Sequence, residues 1–154
     1  MALFLVQHGI ALDKQVDPER PLSETGKHEV EHIAALAKQY AISIDCIQHS
    51  GKTRAQQTAN IFATTLNLVE NTKAVSGLQS LDDVETFATS IDDNKNIMLV
   101  GHLPFMEKLA AYLITDSVDN PVVKFQNGGI ICLDKEPESS VWFIKWTLLP
   151  HITA

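Results

Sequence analysis

The chain has 154 residues, with 12 Lys+Arg against 19 Asp+Glu and a formal net charge of -7. That length fits one domain, residues 1–154, able to bury a core without disulfide or metal staples. Only two of the basic residues are arginines, Arg20 and Arg54; so acidic and arginine-poor a chain lacks the clustered cations that a nucleic-acid backbone or an anionic membrane requires, and neither is an expected partner.

The opening residues 1–6 are apolar but carry no basic n-region and break into Gln7-His8-Gly9, unlike a signal peptide. No apolar run approaches the roughly 20 residues of a membrane helix. Cys46 and Cys132, each inside an apolar run, read as two reduced core thiols, which points to a cytoplasmic setting.

Short β-branched runs alternate with segments of helical period, the pattern of an α/β domain. Residues 2–7 predict a buried strand. In 24–40 the stripe Val30, Ile33, Ala34, Ala37 and Tyr40 predicts a helix, with Ser23 or Thr25 as its cap. Residues 44–48 form a second strand. The next helix spans 52–66 on Ala55, Ala59, Phe62, Ala63 and Leu66. Residues 67–80 read as a loop. Asp82-Asp-Val-Glu85 has the form of a capping box, with Val84, Phe87, Ala88 and Ile91 behind it. The run 97–101, Ile-Met-Leu-Val-Gly, reads as a central parallel strand, and Pro104 opens the following helix. Residues 129–133 and 141–148 predict an antiparallel pair at the sheet edge. No pattern in those strands specifies pairing between copies of the chain.

Three strand ends carry chemistry: Gln7-His8-Gly9, His49-Ser50-Gly51-Lys52-Thr53-Arg54 and Gly101-His102-Leu103-Pro104. In an open parallel sheet such ends converge on one ligand site. Arg54, in the first turn of a helix, adds a forked guanidinium to free amides and the positive end of the dipole, which indicates a phosphate site. A neutral imidazole placed in line can attack phosphorus, while a second, protonated one steadies the equatorial oxygens. Such chemistry requires no metal and no other cofactor.

Gln7-His8-Gly9, Ser50-Gly-Lys-Thr-Arg54-Ala-Gln-Gln-Thr58 and Gly101-His102-Leu-Pro104, in this order, resemble the histidine phosphatase superfamily, whose fold is phosphoglycerate mutase-like. Arg20-Pro-Leu-Ser-x-x-Gly26 and the short length resemble its protein phosphohistidine phosphatases of SixA type. The resemblance implies a three-layer α/β/α sandwich with a mostly parallel sheet and an antiparallel edge. It further implies His8 as the phosphorylated nucleophile, Arg54 as a phosphate clamp and His102 as the second pocket histidine. Gln7, Gly9, Arg20 and Ser50 then border the phosphate or substrate. The implied partner is a phosphohistidine-bearing protein, such as a phosphotransfer domain, in signal transduction.

Two departures qualify that pattern. Gln7 stands where the family has arginine, which removes a charge and leaves an amide donor; losing one preorganised donor costs about 10²–10³ in rate. Ser50-Gly51 replaces Ser-Pro and is expected to loosen the start of the helix. Near 77–85, where many superfamily members carry an acidic Glu, stand Leu78, Gln79, Ser80 and Leu81 before Asp82 and Asp83, which read more simply as the cap and first turn of a helix; lack of a clear general acid favours cleavage of a P–N bond, because an imidazole leaves with less help than an alkoxide. An alternative is a weak or inactive module that binds a phosphorylated ligand. A remote one is a zinc hydrolase on His28-Glu29-Val30-Glu31-His32; at about 100° per residue its two histidines lie opposite the apolar stripe, facing solvent.

Overall fold

A computed structural model of the chain describes residues 1–152. Six strands form one sheet: β1 (Ala2–Gln7), β2 (Cys46–His49), β3 (Thr72–Ala74), β4 (Ile97–Gly101), β5 (Ile130–Lys135) and β6 (Trp142–Leu148). Their order is β3-β2-β4-β1-β5-β6. The first four run parallel, with Phe4 beside Met98 and Ile47 beside the same Met98, while β5 runs antiparallel to both β1 and β6. The expected mostly parallel sheet with an antiparallel edge is therefore present.

Four helices cover the sheet: α1 (Glu24–Gln39), α2 (Thr53–Leu66), α3 (Val84–Thr89) and α4 (Phe105–Thr115). Strand alternation sorts the core between its two faces. Phe4, Val6, Ile47, Met98 and Val100 meet Val30, Ile33, Phe62 and Ala63 of α1 and α2. Leu3, Leu5, Ile97 and Leu99 meet Val84 and Phe87 of α3 and Phe105 and Leu109 of α4. This is the three-layer arrangement the resemblance implied.

Local differences have local causes. Ser23 is the cap of α1, its Oγ accepting from Gly26 N at 3.0 Å, and Thr25 lies within the helix. Tyr40, placed on the buried stripe by its spacing, is 67% exposed, because the helix ends at Gln39 and the stripe ends with it. The expected capping box gives way to a single cap one residue later. Asp83 caps α3 by accepting from Thr86 N at 2.9 Å, and Asp82 instead accepts from Gln79 N at 2.8 Å. The segment 67–80 is more than a loop, for it adds a 3-10 turn, Val69–Asn71, and β3 at the sheet edge. Cys132 is a core thiol that burial pushes up to about 11, whereas Cys46 at the start of β2 is only half-buried. Among the described residues no helix is long and apolar enough to cross a membrane.

Candidate active site

Because β4 lies between β2 and β1 and all three run parallel, the segments after them leave the sheet at one edge. His8, Ser50, Arg54 and His102 meet there. The backbone N–H of His8 extends the ladder by one bond, to Gly101 O at 3.0 Å. The carbonyl of His8 accepts from Asn127 Nδ2 at 2.9 Å, so the residue is fixed at both main-chain groups.

His8 Nδ1 lies 2.7 Å from Gly9 O. A carbonyl oxygen only accepts, so Nδ1 carries the proton and Nε2 keeps a bare lone pair. Gly9 thus orients the His8 ring through its carbonyl. Its own N–H donates to Thr58 Oγ1 at 2.9 Å, and Thr58 donates in turn to Arg54 O at 2.8 Å. Thr58 is fully buried and lies one turn beyond Arg54 on α2, tying the loop that carries His8 to the arginine's helix.

The His102 ring stands 5.1 Å from that of His8, inclined by 50°. Its Nε2 lies 2.6 Å from Ser50 Oγ, so the serine and the ring share a hydrogen bond. Gly51 has φ +89°, a conformation closed to proline. The Ser-Gly pair therefore builds a different turn rather than a looser one, with Gly51 N–H donating to His49 Nδ1 at 3.1 Å. Arg54 Nε is buried without a hydrogen-bond partner among the described residues. Arg20 reaches the same region from a loop held by Leu12 N to Pro21 O at 2.8 Å and by Leu22 N to Gln57 Oε1 at 2.7 Å. Arg20 Nε donates to Leu12 O at 3.3 Å. Gln7 is half-buried and its carbonyl accepts from Gly128 N at 2.9 Å.

The charges acting on the two rings are all cationic. Burial, then Arg54 and Arg20, lower the His8 pKa to about 4, against the Gly9 bond that raises it. Burial, then His8, Arg54, Lys52 and Arg20, bring His102 down to about 3. Both rings are therefore neutral near pH 7, and the expectation of a protonated His102 is corrected for the ligand-free site. An acidic chain has built a local positive pocket, the setting that attracts an anion.

These shifts predict acid sensitivity. Both folded pKa values lie below the ordinary 6.5, so the unfolded chain takes up protons first. The neutral rings contribute stability that is fully present above pH 6.5 and is lost as pH falls towards 4 and 3. The urea midpoint is expected to drop between pH 7 and pH 4.5; a flat midpoint over that window would contradict the burial of these rings.

Comparison with known proteins gives the same pattern. No family model matches the chain. It is 29% identical over 119 residues to the phosphohistidine phosphatase SixA of Escherichia coli K12, covering 73% of this chain and 74% of that one. The structure of the protein histidine phosphatase SixA complexed with tungstate superposes with a TM-score of 0.84 at 25% identity, over 97% of each chain. These similarities place the chain beside the histidine phosphatase superfamily. Both of these relatives are phosphatases. The α-ribazole phosphatase of Shigella flexneri, with a TM-score of 0.76 at 17% identity over 100% of this chain and 99% of its own, shares the fold.

The sequence places the rings and guanidinium groups but assigns no role to Thr58, Gln57, Gln79 or Asn127. Thr58 had a signal, lying four residues after Arg54 on one helix face. Gln79 and Asn127 come from irregular loops and had none. His28 and His32 are exposed on the outer face of α1, away from the site.

Proposed function

We propose that the chain removes phosphate from phosphohistidine on a protein partner, passing the phosphoryl group through His8. The observation that carries this reading is the bare Nε2 of His8, enforced by the bond from Nδ1 to Gly9 O. Nε2 attacks phosphorus and forms a new P–N bond as the substrate's P–N bond breaks. The departing imidazole keeps the bonding electrons and takes a proton from solvent. Water then attacks the phosphorylated His8, releasing inorganic phosphate and returning the electron pair to Nε2. Arg54 and Arg20 offset the charge on the phosphoryl oxygens, and His102 supports them as a neutral ring.

Two features favour a phosphohistidine over an alkyl phosphate ester. The carboxylates of Asp82 and Asp83 are each tied to a backbone N–H around the start of α3, Gln79 N and Thr86 N, roles that account for both without acid catalysis, and an imidazole leaves with less help than an alkoxide. A cleft of about 550 Å³ also opens beside Ser50, past Gln79, Asp82 and Phe87, leaving room for a protein-borne group. Similarity to a phosphohistidine phosphatase supports the same substrate class. Gln7, in place of the family's arginine, favours a second reading, a module that holds a phosphorylated ligand without turnover.

One experiment separates the two. A phosphotransfer domain carrying ³²P-phosphohistidine is mixed with excess protein and quenched in alkali. An acid-labile label on the peptide containing His8 is expected. Label absent while the substrate binds and stays phosphorylated would establish the binding module instead.

A further inference from the structure

We propose that His151, fastened to Glu29 of α1, positions the nucleophile by holding, through Gln126, the turn whose Asn127 grips the His8 carbonyl; this rests on the proposed role of His8. Glu29 belongs to the run His28-Glu29-Val30-Glu31-His32 and behaves unlike its two histidines. They are exposed, whereas the Glu29 side chain is 14% exposed, and both its carboxylate oxygens are sealed from solvent, accepting no hydrogen bond among the described residues. A carboxylate so placed is unfavourable unless an opposite charge meets it. The group that meets it is His151 Nε2, in ion-pair contact with Oε2. The rest of that imidazole faces solvent, so its attachment to the fold is this contact.

The main chain of His151 is held from the other side. Gln126 Nε2 donates to His151 O at 2.9 Å, and Gln126 Oε1 accepts from His151 N at 3.0 Å, a two-point bracket that fixes the amide as much as the terminal segment. Gln126 begins a turn closed by Gly129 N donating to Gln126 O at 3.1 Å. Inside that turn, Asn127 Nδ2 donates to His8 O and Gly128 N to Gln7 O, each at 2.9 Å. Two consecutive carbonyls at the end of β1 are thus set by it. The turn also has little room to shift, since a Cβ on Gly128 would lie 3.0 Å from Val30 Cγ2 of α1, and one on Gly129 would lie 2.8 Å from Leu149 Cδ2. It is wedged between α1, the terminal segment and β1. Glu29 and His151 therefore act on His8 without touching it, as positioning residues. Releasing the terminal segment frees the outer side of the turn, and Nε2 of His8 then strays from the line to phosphorus, where a misplacement of about 1 Å can cost about 10²-fold in rate.

The test compares His151→Ala and Glu29→Ala with wild type by amide hydrogen exchange and by turnover of a phosphotransfer domain carrying ³²P-phosphohistidine. In both variants the Gly128 amide is expected to exchange roughly 10-fold faster or more, with the amides of β2 and β4 unchanged, because the loosening is local. Turnover should show kcat lowered roughly 10-fold at nearly constant KM, the sign of misplacement rather than lost binding. His151→Gln, whose side-chain amide can reach Glu29 much as Nε2 does, should restore both to within about three-fold. A Gly128 amide that exchanges as in wild type overturns the proposal. So does faster exchange by the same factor in β2 and β4, which would make the contact merely structural, and so does kcat within about two-fold of wild type in an active chain. His151→Ala alters an exposed ring and carries the test alone if Glu29→Ala fails to fold. Exchange is independent of turnover, so a chain unable to hydrolyse phosphohistidine is decided by Gly128 alone, and a failed strap leaves the labelling of His8 as it was.

Discussion

Changing His8 to alanine is expected to reduce phosphate release from a phosphohistidine protein by roughly 10⁴-fold or more, to background, because removal of a nucleophile leaves only binding and electrostatic assistance. The fold should survive. The main-chain bonds at this position, N–H to Gly101 O and carbonyl from Asn127 Nδ2, do not depend on the imidazole. The ring's one hydrogen bond, from Nδ1 to Gly9 O, is local. Circular dichroism and the urea midpoint at pH 7 should therefore match the wild type, and inorganic phosphate should still bind at Arg54. Release within ten-fold of wild type would sink His8 as nucleophile, and loss of fold would show that the ring is structural.

A second large effect is expected far from any reacting atom. A Cβ on Gly26 would lie 2.1 Å from Ile10 O and 3.0 Å from both Ile10 C and Ile10 N. The same carbonyl already accepts from Ser23 N at 2.9 Å and Ser23 Oγ at 3.2 Å, so it has no free direction in which to retreat. Alanine has an intrinsic helix advantage over glycine of about 1 kcal/mol. A backbone clash of this depth outweighs that, and Gly26→Ala should lose roughly 3 kcal/mol or more of stability by chemical denaturation. Turnover should fall as well, since the displaced segment follows directly on Gly9, whose carbonyl sets the His8 tautomer. A change smaller than about 1 kcal/mol would mean that α1 can slide to admit a methyl group.

The parts of this molecule that were legible in the sequence are those written in periodicity and in short-range motif. The run 97–101 emerged with its bounds intact as β4, since five consecutive apolar residues suit a strand covered on both faces. His8, Arg54 and His102 were legible because each follows a strand end and the parallel order makes such ends converge. Tyr40 was misplaced for the converse reason: periodicity does not register where a helix stops. β3 was missed because Thr72-Lys-Ala74 has no apolar alternation, and its pairing with β2 is a tertiary event. The companions of the site, Asn127 on the His8 carbonyl and Gln79 on the Ser50 carbonyl, are amides in loops. Their partners lie 119 and 29 residues away, a separation that no local pattern encodes. The Ser-Gly departure was visible as a substitution, but its meaning required the backbone angle at Gly51.

β1 and β2 do not touch. Each pairs with β4, which lies between them. On a ribosome, the residues contributing His8, Ser50 and Arg54 are all made before the strand that joins them, and His102 follows that strand immediately. A chain that has not yet incorporated Ile97–Gly101 therefore has no sheet in which the two halves of the pocket are neighbours, whatever helix it has formed. Closing that sheet and completing the pocket are the same step, and its sequence separation makes it a slow one. A partly made chain thus carries His8, Ser50 and Arg54 but does not bring them together until the central strand is in place.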